Sequence, residues 1–157
     1  MSPNPVSKGT SLLFVCLGNI CRSPLAEAAF RQEAERHGLS MTLDSAGIGS
    51  WHIGEPPDRR AQAVALKHGV DISGYRGRQV SKKGFFEFDH ILALDHENLR
   101  NLQALKPEGA TAVLSLLMDY VPGQEGKAVP DPYYGNAQDF EKTWAAVSEA
   151  AKCCFSR

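Results

Sequence analysis

Ser11-Leu12-Leu13-Phe14-Val15-Cys16-Leu17-Gly18-Asn19-Ile20-Cys21-Arg22-Ser23-Pro24-Leu25 contains the change of pattern from which the fold is read. Its first six residues are almost continuously apolar, as in a short strand buried on both faces of a parallel sheet; a strand with one wet face would alternate. From Ser23 the pattern becomes helical. Ser23 can cap, Pro24 suits the first helical position, Leu25, Ala28 and Ala29 share a face, and Gly38 ends the run. The stretch therefore reads strand, loop, helix.

The rhythm continues outward from there. Further strands are expected at 41–45, 90–94 and 112–116, and helices at 58–68, from Ser81, at 95–105 and from Asn136 onward. The last helix carries Phe140, Trp144, Val147, Ala151 and Phe155 at three- and four-residue steps, a core-facing stripe. Strands alternating with helices predict an α/β fold, a single three-layer domain with a parallel sheet flanked by helices. Residues 1–10 read as a polar N-terminal extension and 11–157 as the domain. Pro122-Gly123-Gln124-Glu125-Gly126 is the candidate mobile loop.

A chain of 157 residues, 43% hydrophobic and 22% charged, suits one core that buries roughly 68–70% of the unfolded surface. No disulfide or metal is required to hold it. The four cysteines, at 16, 21, 153 and 154, match neither a disulfide framework nor a zinc pattern, and a reducing cytoplasm is the expected location. Cys154 falls on the apolar stripe and is expected in the core; Cys153 falls off it. No signal peptide or membrane span is visible. Seventeen basic against eighteen acidic residues, without a basic run, predict neither a nucleic-acid nor a membrane partner. The oligomeric state is left open.

An arginine six positions after a cysteine is weak evidence by spacing alone: nine arginines in the chain make a chance match roughly one in ten. Its position strengthens it. In open α/β sheets ligands bind beyond the carboxyl ends of strands, and amides at a helix start favour anions. Gly18 and Asn19 are expected to turn the amides of Leu17 to Arg22 inward by adopting backbone conformations most residues resist. Arg22 offers a planar fork of donors to a phosphoryl group, and Cys16 lies where a nucleophile would attack it. The helix start, Arg22 and a hydrogen bond from Ser23 favour thiolate over thiol. Read alone, Cys16 is an ordinary buried cysteine; its neighbours decide for phosphoryl transfer. Cys21 reads equally as filler or as a thiol that protects an oxidised Cys16 by a reversible disulfide.

The segment from Val15 to Ala28 resembles the loop of the low-molecular-weight protein tyrosine phosphatase family. Asp44-Ser45-Ala46-Gly47, Gly54-Glu55-Pro56-Pro57-Asp58, Arg78-Gln79, Phe88-Asp89-His90-Ile91-Leu92 and Asp131-Pro132-Tyr133-Tyr134-Gly135 follow in the family's order. The resemblance implies a four-stranded parallel sheet with the phosphate-binding loop after its first strand. It further implies a cysteinyl-phosphate intermediate, no cofactor and no metal, and a phosphotyrosine-containing protein as substrate. It makes Asp131 the general acid, where an Asp-Pro read alone is a turn. A phenolic leaving group with a pKa near ~10 needs such a donor. Tyr133, Tyr134 and Trp51 become walls of an aromatic slot, with Ile20 at the loop. Asn19, Ser23 and Ser45 support the loop. Tyr75 stands where many members carry a histidine in that support. None of the five histidines lies in a catalytic pattern.

Three rival functions share these features. Arsenate reductases relay oxidation through mid-chain cysteines, which this chain lacks between 22 and 152. Phosphoarginine phosphatases are associated with threonine at the position of Ile20. A catalytically dead phosphate-binding module has little need of Cys16, Arg22 and Asp131 together.

Overall fold

The computed structural model describes residues 4–156. Strand β1 spans Ser11–Cys16 and lies inside a four-stranded sheet of order β2-β1-β3-β4, with β2 at Thr42–Gly47, β3 at His90–Ala93 and β4 at Val113–Leu116. Every neighbouring pair is parallel. Successive strand side chains point to opposite faces, so a strand covered on both must be apolar at both parities. Leu12, Phe14 and Cys16 pack into one core, with buried residues of α1 (Arg22–Arg36), α2 (Arg59–Lys67) and α5 (Ala137–Phe155). Leu13 and Val15 pack into the other, with Phe85 of α3 (Gly84–Glu87) and Leu102 of α4 (His96–Leu105). The three layers expected from the alternation are present.

The boundaries differ where side chains are used for something else. Helix α1 begins at Arg22 with Cys21 at its N-cap and no side-chain cap; Ser23, expected to cap, is inside the helix and turned toward Cys16. Strand β2 runs to Gly47 rather than stopping at 45, because Gly47 pairs with Cys16 on one edge and with 78–80 on the other. Asp58 and Asp95 are N-caps, their carboxylates accepting from Arg60 N–H and Asn98 N–H. The helix expected from Ser81 forms at 84–87 after a turn. On α4, Leu102 is buried but Leu105 is exposed. The stripe of α5 is buried throughout, with Cys154.

Two further points concern the ends and one loop. Asn4 Nδ2 donates to the carbonyl of Cys154 at 3.0 Å, and Val6 packs against the larger core; residues 1–3 of the expected polar extension lie outside the described residues. The 122–126 segment is closed by turn hydrogen bonds and by Gly126 N–H donating to Asp119 Oδ1 at 2.9 Å. Among the described residues no helix is long and apolar enough to cross a membrane.

The strand order positions the site. From β1 the chain goes to β2 on one side and then crosses to β3 on the other. The connections leaving the carboxyl ends of β1 and β3 therefore diverge, opening a crevice between them.

Candidate active site

The loop of residues 17–21 leaves β1 into that crevice and is built on close backbone approach. Asn19, at φ 59°, is the residue in the left-handed region; Gly18, expected to share that role, is not. A Cβ at Gly18 would instead lie 3.3 Å from the His52 ring, a tight contact. Gly47 of β2 supports the loop from beneath: its Cβ would fall 3.0 Å from both Gly18 C and Leu17 O. Ile48 N–H and Gly49 N–H donate to the carbonyls of Cys16 and Leu17 at 3.0 and 2.9 Å. With these carbonyls tied outward, the loop curls over the end of the strand.

Cys16, 4% exposed, has its Sγ 3.0 Å from Ser23 Oγ. Asn19 Nδ2 donates to that same Oγ at 2.8 Å and to Ser45 Oγ at 3.0 Å. With an Asn19 N–H on one of its lone pairs, the Ser23 hydroxyl can direct its own proton to a thiolate. Asn19 Oδ1 accepts from Arg78 N–H at 2.9 Å. The second thiol differs. Burial pushes the pKa of Cys21 up, and the neighbouring Asp58, Cys16 and Asp131 charges add to it, so Cys21 stays protonated at neutral pH. Both readings of Cys21 remain standing.

Arg22, 4% exposed, donates from Nη1 to Asp95 Oδ2 at 2.8 Å and to the Val129 carbonyl at 3.1 Å. Its Nη2 lies 3.6 Å from Asp131 Oδ2. Asp95 was not singled out from sequence. The available signal was an acidic residue directly after a buried strand, at the carboxyl end next to β1, where it both caps α4 and aims the arginine.

The cleft above the loop has a volume of about 200 Å³. Cys16, Ile20, Cys21, Arg22 and Asp131 line it. Leu17, Trp51, Tyr133 and Tyr134 also line it and are exposed, Tyr134 at 97%. The two tyrosine rings meet edge to face, 4.9 Å between centroids. His52 also lines the cleft, although no histidine was assigned to a site from sequence; its Nδ1 is 3.3 Å from Glu55 Oε1. Asp131 Oδ1 accepts from Tyr133 N–H at 3.1 Å.

Behind the loop, Glu27 of α1 is buried. Burial pushes the Glu27 carboxyl above its ordinary range, although the Arg31 and Ser45 side chains act to lower it. Arg31 donates to Glu27 Oε2 at 2.6 Å, to the Leu43 carbonyl at 3.0 Å and to Tyr75 Oη at 3.2 Å. Tyr75 thus accepts from the same arginine that pairs with Glu27.

The chain is similar to known proteins over nearly its whole length. The model of the low molecular weight phosphotyrosine protein phosphatase family matches residues 11–156. A Schizosaccharomyces pombe protein named low molecular weight phosphotyrosine protein phosphatase is 45% identical over 138 residues, covering 86% of this chain and 88% of that one. The Bacillus subtilis low molecular weight protein-tyrosine-phosphatase YfkJ is 46% identical over 132 residues, 82% and 85% of the two chains. The crystal structure of a protein tyrosine phosphatase from Entamoeba histolytica has a TM-score of 0.86 at 35% identity, covering 92% of this chain and 94% of that one.

Proposed function

We propose, for a chain that belongs to the low molecular weight phosphotyrosine protein phosphatase family, that it hydrolyses phosphotyrosine in proteins through a phosphate ester of Cys16. Membership makes the chain an enzyme that hydrolyses phosphate monoesters. The observation that carries the residue roles is that Cys16, Arg22 and Asp131 line one cleft, with Asp131 Oδ2 3.6 Å from Arg22 Nη2.

The phosphoryl group binds against the amides of residues 17–22, and the Arg22 guanidinium donates to its equatorial oxygens, where negative charge is spread during transfer. Cys16 Sγ attacks phosphorus in line. The sulfur–phosphorus bond forms as the bond to the tyrosine oxygen breaks; the electron pair leaves with that oxygen, which takes a proton from Asp131. The Asp131 carboxylate then takes a proton from water, whose oxygen attacks phosphorus. The sulfur–phosphorus bond breaks, its electrons return to Cys16, and inorganic phosphate departs. Trp51, Tyr133 and Tyr134 supply flat apolar walls for the aromatic ring. A catalytic thiolate suits a reducing compartment, and the cytoplasm is the proposed location.

The test is hydrolysis of aryl phosphates of graded leaving-group basicity, with chelator present, by wild type, Cys16→Ser and Asp131→Asn. Cys16→Ser abolishes turnover, and Asp131→Asn loses most on basic leaving groups. Equal loss on every leaving group would remove Asp131 from the acid role, and phosphate trapped on any residue other than Cys16 would overturn the mechanism. Adding phosphoarginine and arsenate to the panel separates the rival substrates.

A further inference from the structure

Arg60, in the first turn of α2, has the exposure of an ordinary solvated arginine, with 40% of its side chain accessible. Its hydrogen bonds are not those of a solvated side chain. Nε and Nη2 donate to Asp58 Oδ1 and Oδ2 at 3.0 and 2.9 Å, a bidentate pair. The outer edge of the guanidinium then reaches a different part of the chain: Nη2 donates to the carbonyl of Tyr133 at 2.9 Å and Nη1 to that of Gly135 at 3.0 Å. Its plane also lies over the Phe140 ring, 4.6 Å from the centroid. Four of the five N–H groups that a guanidinium offers are engaged.

The two ends of this clamp are the two halves of the active site. Asp58 N–H donates to the carbonyl of Ile20 in the phosphate loop at 2.9 Å. The Asp58 carboxylate accepts from Arg60 N–H at 2.8 Å as well as from the guanidinium. Burial raises its pKa, but the Arg60 hydrogen bonds outweigh that and hold it below the ordinary range, so the pair stays ionised. At the other end, Asp131 rests its Oδ1 on the N–H of Tyr133, the residue whose carbonyl Arg60 holds. On its upstream side the acid loop is tied by Thr143 Oγ1 to the Pro130 carbonyl at 3.1 Å. Gly135 closes the downstream side by a turn to Pro132, leaving room for no Cβ, which would meet Asp139 at 2.2 Å.

We propose that Arg60 is a positioning residue for the general acid, fixing residues 133–135 against the phosphate loop so that the Asp131 carboxyl is held within reach of the leaving oxygen. This rests on the assignment of Asp131 as acid. Proton donation demands a heavy-atom separation of hydrogen-bond length, and a displacement near 1 Å costs roughly 100-fold. Phosphate binding on the amides and Arg22 makes no such demand on 133–135. Removing Arg60 therefore damages the transfer step in proportion to how much the leaving group needs a proton.

The experiment measures kcat/KM, which covers the steps up to leaving-group departure, for Arg60→Ala, Arg60→Lys and Asp131→Asn across the same aryl phosphates. Arg60→Ala is expected to lose about tenfold on phosphotyrosine and less than about twofold on a dinitrophenyl phosphate. Arg60→Lys, a point charge that cannot bridge Asp58 and two carbonyls, moves in the same direction while preserving the ion pair that supports folding. Inhibition by inorganic phosphate stays within about twofold of wild type. In the Asp131→Asn background, Arg60→Ala adds no further leaving-group dependence. Uniform loss across leaving groups, weakened phosphate inhibition in both Arg60 variants, or no loss at all would overturn the proposal with the acid assignment intact. An Asp131→Asn profile without leaving-group dependence would overturn both.

Discussion

Asn19 carries the sharpest test of how the phosphate loop is held. Its side chain is 3% exposed and makes three hydrogen bonds, donating to Ser23 Oγ and Ser45 Oγ and accepting from Arg78 N–H. Each contributes about 1 kcal/mol net, so Asn19→Ala loses about 3 kcal/mol from them. The residue also holds φ at 59°, a conformation that costs alanine about 1–2 kcal/mol more. Asn19→Ala should therefore lower stability by about 4–5 kcal/mol, a large part of the 5–15 kcal/mol typical of a domain. Asn19→Gly loses the same hydrogen bonds but escapes the strain. Its greater unfolded-state entropy takes back about 0.4–1 kcal/mol, leaving glycine ahead of alanine by about 0.8 kcal/mol. Urea titration monitored by tryptophan fluorescence measures both, with Trp51 and Trp144 as reporters. An alanine variant that loses less than about 1 kcal/mol would refute the hydrogen-bond reasoning. A glycine variant no more stable than the alanine one would refute the strain.

Asp95→Asn keeps an oxygen for the α4 cap but removes the negative charge from the buried Arg22 guanidinium; since Asp95 is 25% exposed, the expected stability loss is about 1–2 kcal/mol, with at least about tenfold lower kcat/KM, and unchanged kinetics would refute the aiming role. Tyr75→Phe takes one acceptor from Arg31 while the bonds to Glu27 and Leu43 remain, so activity changes less than about twofold; Arg31→Met, which leaves Glu27 buried without its cation, has the larger effect in the same assay. Burial holds His90 below its ordinary value of 6.5. The unfolded chain therefore binds its proton more readily, and stability falls as pH drops through 6.5 toward the folded value. His90→Gln should flatten that slope in denaturation midpoints taken at neutral and mildly acidic pH.

The sheet and its layers were readable because burial on both faces leaves a local mark. Leu12 to Val15 must be apolar at both parities, and the helices beside them must carry stripes such as Phe140 to Phe155; these are properties of neighbouring residues. The cysteine-to-arginine loop was readable for the same reason, since its chemistry is contained in one turn of chain. The exceptions were residues whose neighbours did not announce their task. Ser23 has the composition of a helix cap, yet its hydroxyl faces Cys16, because the helix begins two residues earlier, with Cys21 at its N-cap, and places Ser23 inside the first turn. Gly18 suggested a left-handed turn, but its φ is not positive and its closest approach is to the His52 ring.

What no reading along the chain could supply was convergence. Asp95, 73 positions from Arg22, meets it because β1 and β3 are neighbours at the switch in strand order. His52 enters the cleft, and Arg60 spans from Asp58 to Tyr133, through the placement of loops that share no local signal with the residues they touch. Hydrophobic periodicity is written residue by residue, because water acts on each side chain where it stands. Hydrogen-bond partners far apart in sequence are selected only once the packed sheet has fixed which carboxyl ends lie side by side.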